Sequence, residues 1–229
     1  MAVALAEPIS HVRLIKQKTI GIVTTCHSYY SFLDGWLASI QELSTKPDQI
    51  VIAATDPDQC SAFIPAKYSN VKVVQGTEPF WIARYLNAAI EACETDWIVW
   101  IGLDDRYRSC ALDGIRSSSA DVVAFGMQFA NGTPWIPYNV TAEQILTVRS
   151  NLIPCGSPFR RNLWEQIPFQ EHLSPFEDWA LWVGFAALGA RFTATNQIDF
   201  DYSQHPEQIV PPMEPTRTRI LEWSQTLKT

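Results

Sequence analysis

The run Trp97-Ile98-Val99-Trp100-Ile101-Gly102-Leu103-Asp104-Asp105-Arg106-Tyr107 is a string of apolar residues that stops abruptly at two adjacent carboxylates. An apolar run of this length, with no alternation, predicts a strand buried on both faces, the kind found in a mostly parallel sheet covered by helices. Such sheets bind ligands in the crevice beyond the carboxyl ends of their strands, and that is where this run delivers Asp104 and Asp105. Two acids side by side there either hold a cation or simply open a surface turn and cap the next helix.

The residues before this run repeat a strand-then-helix order. Residues 19–25 are a β-branched run followed by Cys26-His27-Ser28-Tyr29-Tyr30 and a helical stripe of Phe32, Leu33, Trp36, Leu37, Ile40 and Leu43. Residues 49–54 predict a second strand, ending in Thr55-Asp56-Pro57-Asp58, a turn signature that puts another acid at a strand end. Residues 71–75 predict a third, leading through Gly76 into a helix over 79–93 with Pro79 in its first turn. On that helix Arg84 and Asn87 share a face, which points at a ligand or lies in solvent. Regular alternation of β and α elements is the signature of an α/β fold.

Beyond the twin aspartates the order loosens. Residues 108–116 predict a short helix and 121–127 a strand; 130–158 is rich in Pro, Gly and Asn, with one short helix over 142–149, and reads as an insertion that shapes a specificity pocket. Next comes Ser174-Pro175-Phe176-Glu177-Asp178-Trp179-Ala180-Leu181-Trp182. Ser174 suits a helix N-cap, Pro175 the first helical position and Glu177 the third, a capping box, with Gly189 as the stop. Glu177 therefore has a purely structural explanation. Asp178 either gains from the helix dipole like any first-turn acid or serves as a base whose proton affinity is set by partial burial. After residues 191–193 and a strand over 197–202 stands His205, a surface residue or a ligand. Ile220, Trp223 and Leu227 form a helical stripe that docks on the body or on another subunit, the second option making a homo-oligomer.

Composition narrows the classes. With 229 residues, 47% hydrophobic and 18% charged, the chain reads as one folded domain with an elaborated second half. A net charge of -7 argues against nucleic acid as a partner, since binders of the phosphate backbone carry basic patches. Five scattered cysteines with no C-x-x-C spacing fit reduced thiols and a cytoplasmic location. No apolar stretch approaches membrane-spanning length, and residues 1–10 lack the basic start and apolar centre of a signal peptide.

Taken in order, these motifs resemble the family 2 type of inverting glycosyltransferases, over residues 19–206. The resemblance implies a single-domain, Rossmann-like mixed sheet flanked by helices, the A-type fold of nucleotide-diphospho-sugar transferases. It divides the chain into an N-terminal arm or edge element (1–18), a nucleotide-sugar-binding half (19–127), an acceptor and catalytic half (128–210) and a C-terminal helix (211–229). It implies that Thr24, Thr25, Cys26 and His27 line the nucleotide pocket, with Asp56 toward the base, about two positions late, and Asn87 and Arg84 on the following helix. Asp104 and Asp105 would divide ribose and metal contacts, His205 would complete a Mn²⁺ or Mg²⁺ site, and Asp178 would be the general base. Gly102 occupies the first acidic place of the metal motif, while Ser203 and Gln204 stand where a basic residue is frequent.

The implied reaction moves one sugar from a nucleotide-diphosphate donor to a glycan, lipid-linked sugar or protein acceptor. Trp81, Trp135, Tyr138 and Trp179 are either sugar-stacking or core residues. A nucleotidyltransferase would need a glycine-rich basic loop after the first strand, and residues 24–30 have neither glycine nor lysine. A non-catalytic module that keeps a sugar or nucleotide pocket, or an interaction surface, stays open as an alternative.

Overall fold

The computed structural model describes residues 17–147, 150–173, 175–205 and 214–227, without the side chains of 214–217. The first half runs β1 (Ile20–Cys26), α1 (Leu33–Glu42), β2 (Gln49–Ala54), α2 (Pro57–Ala62), β3 (Val71–Gln75), α3 (Ile82–Glu91) and β4 (Trp97–Trp100). Then follow β5 (Arg106–Tyr107), β6 (Val122–Phe129), β7 (Pro134–Trp135), α4 (Ala142–Thr147), β8 (Phe159–Arg160), α5 (Arg161–Trp164), α6 (Glu177–Ala187), β9 (Phe192–Tyr202) and α7 (Glu214–Thr226). Among the described residues one sheet takes all nine strands, in the order β3-β2-β1-β4-β8-β6-β9-β5, with β7 on β6. Strands β1 to β4 are mutually parallel, whereas β8 runs antiparallel to both β4 and β6, so the sheet is mixed.

The strand that opens the quoted run, β4, sits near the middle of this sheet and is buried at all four residues. The side chains of the run alternate between two cores. Trp97, Val99 and Ile101 pack with Leu33, Trp36, Leu37 and Ile40 of α1, while Ile98 and Trp100 face Tyr85, Leu86 and Ala89 of α3 and the apolar body of α6. That is why the run carries no period of two: each face of the pleat meets helices. Helix α6 is buried on nearly every side, and α7 lays Ile220 into the same core, with Trp223 close to Gly184 of α6. The C-terminal stripe therefore docks on the body of its own chain.

Several local expectations differ from the structure. Strand β4 stops at Trp100, and Ile101 and Leu103 stay buried without ladder partners as the chain turns. Residues 108–116 form turns with one short 3-10 segment at Ile115–Ser117, entered through Gly114 at φ 77°. Residues 191–193 and 197–202 belong to one strand, β9, interrupted by a register irregularity near Asn196, whose φ is 58°. The two-residue strands β5 and β8 leave no periodic trace, being defined only by distant partners.

Helix α3 begins at Ile82, so Pro79 precedes it. Helix α6 begins at Glu177, with Phe176 at φ 83° as its N-cap, so Glu177 is its first residue rather than its third. Ser174 lies outside the described residues, as do 1–16 of the N-terminal segment and 148–149 beyond α4.

Candidate active site

The strand order reverses between β1 and β4, the place at which an open α/β sheet offers a ligand crevice. The loop after β4 turns tightly, with Asp105 N donating to Gly102 O at 3.2 Å. A Cβ on residue 102 would lie 2.4 Å from Asp104 Oδ1, so any larger residue at this place would push the Asp104 carboxylate out of its position. Pairing of β5 with the end of β9, Arg106 opposite Asp201 and Tyr107 opposite Phe200, brings the residues after β9 alongside the twin aspartates. There Ser203 N donates to Asp105 Oδ1 (2.8 Å), Ser203 Oγ donates to Asp104 O (2.7 Å), and His205 Nε2 lies 3.0 Å from Asp104 Oδ2. The His205 ring also packs against Tyr29 and Phe32 of the loop after β1. Residues roughly a hundred positions apart in sequence are thereby laced together.

Asp178 reaches the same region through the 151–157 loop. Asn151 Nδ2 donates to its Oδ2 at 2.7 Å, and Trp182 of α6 holds Ile153 O through Nε1 at 3.1 Å. At Gly156 a Cβ would meet Ile101 at 2.7 Å and Phe200 at 2.9 Å, so the loop passes directly over the ends of β4 and β9. Burial pushes the Cys155 thiol up, and the carboxylates of Asp105 and Asp178 both add to that shift. Cys155 thus lies in the field of both acids. Burial raises Asp178 to about 6, against the opposing hydrogen bonds from Trp179 N–H and Asn151.

Asp105 behaves differently from its neighbour. It is 3% exposed, and burial, followed by repulsion from Asp104, raises its carboxyl to about 8. Among the described residues no three His, Cys, Asp or Glu side chains converge as metal donors, so the expected set Asp104–Asp105–His205 does not assemble. What assembles is a pair, one carboxylate oxygen and one imidazole nitrogen. That pair fits a hard divalent cation of the sort that takes one or two protein donors and completes its shell with diphosphate oxygens and water.

The residues expected to line a nucleotide pocket have varied surroundings. Thr24 is buried and donates to Ile101 O at 2.8 Å, tying β1 to the end of β4; Thr25 is half-buried; Cys26 is buried beside Cys60. His27 is exposed, stacked on Phe80, with Nδ1 2.8 Å from Thr55 Oγ1. Asp56 caps α2 by accepting from Gln59 N at 2.9 Å.

Arg84 and Asn87 do share a face, but it meets the segment 164–171. Arg84 pairs with Glu171 at 2.6 Å. Asn87 Nδ2 donates to Phe169 O (2.9 Å), and its Oδ1 accepts from Trp164 Nε1 (2.8 Å) and Phe169 N (3.0 Å). Cutting Asn87 back to Ala leaves those partners unpaired and is expected to cost ~1–3 kcal/mol of stability, measured by urea unfolding.

Of the aromatic residues considered for sugar stacking, Trp179 is core at 3% exposure, while Trp81 and Tyr138 are about half exposed, at 49% and 58%. Sequence reasoning missed Asn151 and Cys155, which sit in an aperiodic loop where only the tertiary contacts mark them.

No protein-family model matches this sequence, and no curated protein does. Solved structures do. TarS from S. aureus (residues 1–349) in complex with UDP-GlcNAc is 18% identical with a TM-score of 0.68, over 91% of this chain and 66% of that one. A second structure of TarS 1–349 matches at 20% identity and a TM-score of 0.64, over 81% of this chain. The chain spans 60% of the length of that structure. The mannosyltransferase PcManGT from Pyrobaculum calidifontis, in complex with GDP-Man and Mn²⁺, is 12% identical with a TM-score of 0.62, over 93% of this chain and 74% of that one. At such identities the likeness establishes the fold alone, the α/β single-sheet arrangement these structures share with this chain.

Proposed function

We propose that the chain is a metal-dependent inverting glycosyltransferase of the A-type fold, moving one sugar from a nucleotide-diphosphate donor to an acceptor hydroxyl. The observation that carries this reading is the His205–Asp104 contact at the mouth of β4, in the same crevice that Asp178 reaches through the 151–157 loop. Residues 19–127 would hold the donor, 128–210 the acceptor, and 211–229 the C-terminal support. The acceptor is a glycan, a lipid-linked sugar or a protein hydroxyl. Five free thiols go with a cytoplasmic setting.

The chemistry asks little more of the protein than orientation and one base. Asp178 takes the proton from the acceptor hydroxyl as its oxygen attacks the anomeric carbon, and the bond to the diphosphate breaks on the opposite face. One displacement inverts the centre. Asn151 fixes the orientation of the Asp178 carboxylate by donating to Oδ2. Burial keeps the carboxylate a stronger base than usual while still ionised at neutral pH. Asp104 and His205 would hold a Mg²⁺ or Mn²⁺ ion, which when bound neutralises charge on the departing diphosphate.

A base must be unprotonated to act, so kcat should fall as pH drops through about 6, with the slope of a single proton. A profile flat from pH 5 to 8 would remove Asp178 from the role. The reading itself is tested by incubating the protein with UDP- and GDP-sugars and Mn²⁺ and measuring released nucleoside diphosphate. An active transferase leaks sugar to water, whereas nucleotide binding with no release would mark a non-catalytic module.

A further inference from the structure

Four side chains at the lip of the crevice form a continuous hydrogen-bonded relay. His27 Nδ1 lies 2.8 Å from Thr55 Oγ1, Thr55 Oγ1 lies 3.1 Å from the Tyr85 hydroxyl, and that hydroxyl donates to Glu78 Oε1 at 2.5 Å. The relay spans the residues just after β1 and β2 and the start of α3. Its proton order follows from one end. An ionised carboxylate only accepts, so Tyr85 commits its single proton to Glu78. The Tyr85 oxygen then accepts from Thr55, and the Thr55 oxygen in turn accepts from His27. His27 must therefore carry its proton on Nδ1, which in a neutral imidazole leaves Nε2 a bare acceptor.

The ring is also held mechanically. Phe80 stacks on it with centroids 4.4 Å apart and planes within 19°, and Phe80 itself packs edge-on against the buried Tyr85. Tautomer and orientation are thus set before any ligand arrives, at an exposed position. Two residues further on, Tyr29 touches the His205 ring, so the acceptor nitrogen and the Asp104–His205 pair flank the same short loop. Under the transferase reading, a donor with its diphosphate at that pair runs along this loop, which carries His27.

We infer that His27 Nε2 reads the donor's base by accepting a hydrogen bond from the ring N–H of an oxo-base, so that uracil, thymine or guanine nucleotides are taken in preference to cytosine or adenine. This deepens, and rests on, the transferase reading above. Uracil, thymine and guanine carry a ring N–H on the pairing edge, where cytosine and adenine present a lone pair that would face the lone pair of Nε2. Thr55 is the positioning residue, because its hydroxyl transmits the proton order set by Glu78 and Tyr85.

Two measurements test this on the full chain. Calorimetric titration with UDP, GDP, CDP and ADP in Mn²⁺ is expected to give UDP or GDP the tightest binding. His27→Phe, which keeps the stack on Phe80 and removes the acceptor, should shrink that preference by about ten-fold, the worth of one neutral hydrogen bond. ¹⁵N spectra of the imidazoles at pH 8 should report His27 as the Nδ1–H tautomer; Thr55→Val should mix the tautomers and Thr55→Ser restore the single one. An Nε2–H ring, equal affinity for CDP, or an unchanged preference in His27→Phe would each overturn the assignment while leaving the transferase reading intact. Failure of every nucleoside diphosphate to bind would overturn both.

Discussion

An Asp178→Asn protein is expected to turn over a sugar-nucleotide donor at least ~100-fold more slowly than the parent while binding that donor as tightly, because general-base help is worth ~10²- to 10⁴-fold in rate. The substitution is nearly isosteric and keeps a hydrogen-bonding partner for Asn151, so the 151–157 loop has no reason to move. Stability gives the control. Burial raises the Asp178 carboxyl from 3.8 to about 6, so the folded chain holds this proton more tightly than the unfolded one. A group shifted in that direction stabilises the fold at low pH, and its contribution is lost as pH rises through about 6. Asn mimics the neutral form, so at pH 7.5 the variant should melt no lower than the parent. Slow turnover with an undiminished melting temperature assigns the loss to chemistry; turnover like the parent's would dismiss Asp178 as the base.

The second large effect is expected at the pair that closes the loop after β4. Replacing Asp104 and His205 together by Ala removes both donors that the structure brings to one point, and nucleotide affinity should become the same with Mn²⁺ as with chelator. Asp105 offers a contrast within the same turn. Its Oδ1 accepts from Ser203 N and its side chain is buried, so Asp105→Asn is expected to keep the metal-dependent gain in affinity. A Mn²⁺ response that survives the double replacement, or that disappears in Asp105→Asn alone, would move the ion to a different set of donors. Melting curves of both proteins give the check on folding, since the 203–205 segment is also held by the β5–β9 pairing.

These two expectations differ from what the residue order supplies by itself. From the chain alone, Asp104 and Asp105 are interchangeable: both follow an apolar strand, and either could face the crevice. The turn separates them, with Asp104 directed at His205 and Asp105 folded inward under the backbone of Ser203. Likewise Arg84 and Asn87 share a helical face by spacing, but spacing cannot say what that face meets. The structure gives it the segment 164–171, to which both side chains are committed.

What the sequence by itself determined is the alternating half of the fold, β1 to β4, and the arrival of acids at its strand ends. Those features are local: a buried parallel strand must be apolar along its length, and a helix covering it must carry an apolar stripe, so both are written as runs and periods. Only the tertiary structure decided the rest. Strands β5 and β8 are two residues long and exist through pairing with distant partners, and the meeting of 104 with 205, and of 151 with 178, is fixed by sheet register and loop packing. Contacts between residues far apart in the chain leave no period in the sequence, because the free energy that selects them comes from the assembled core.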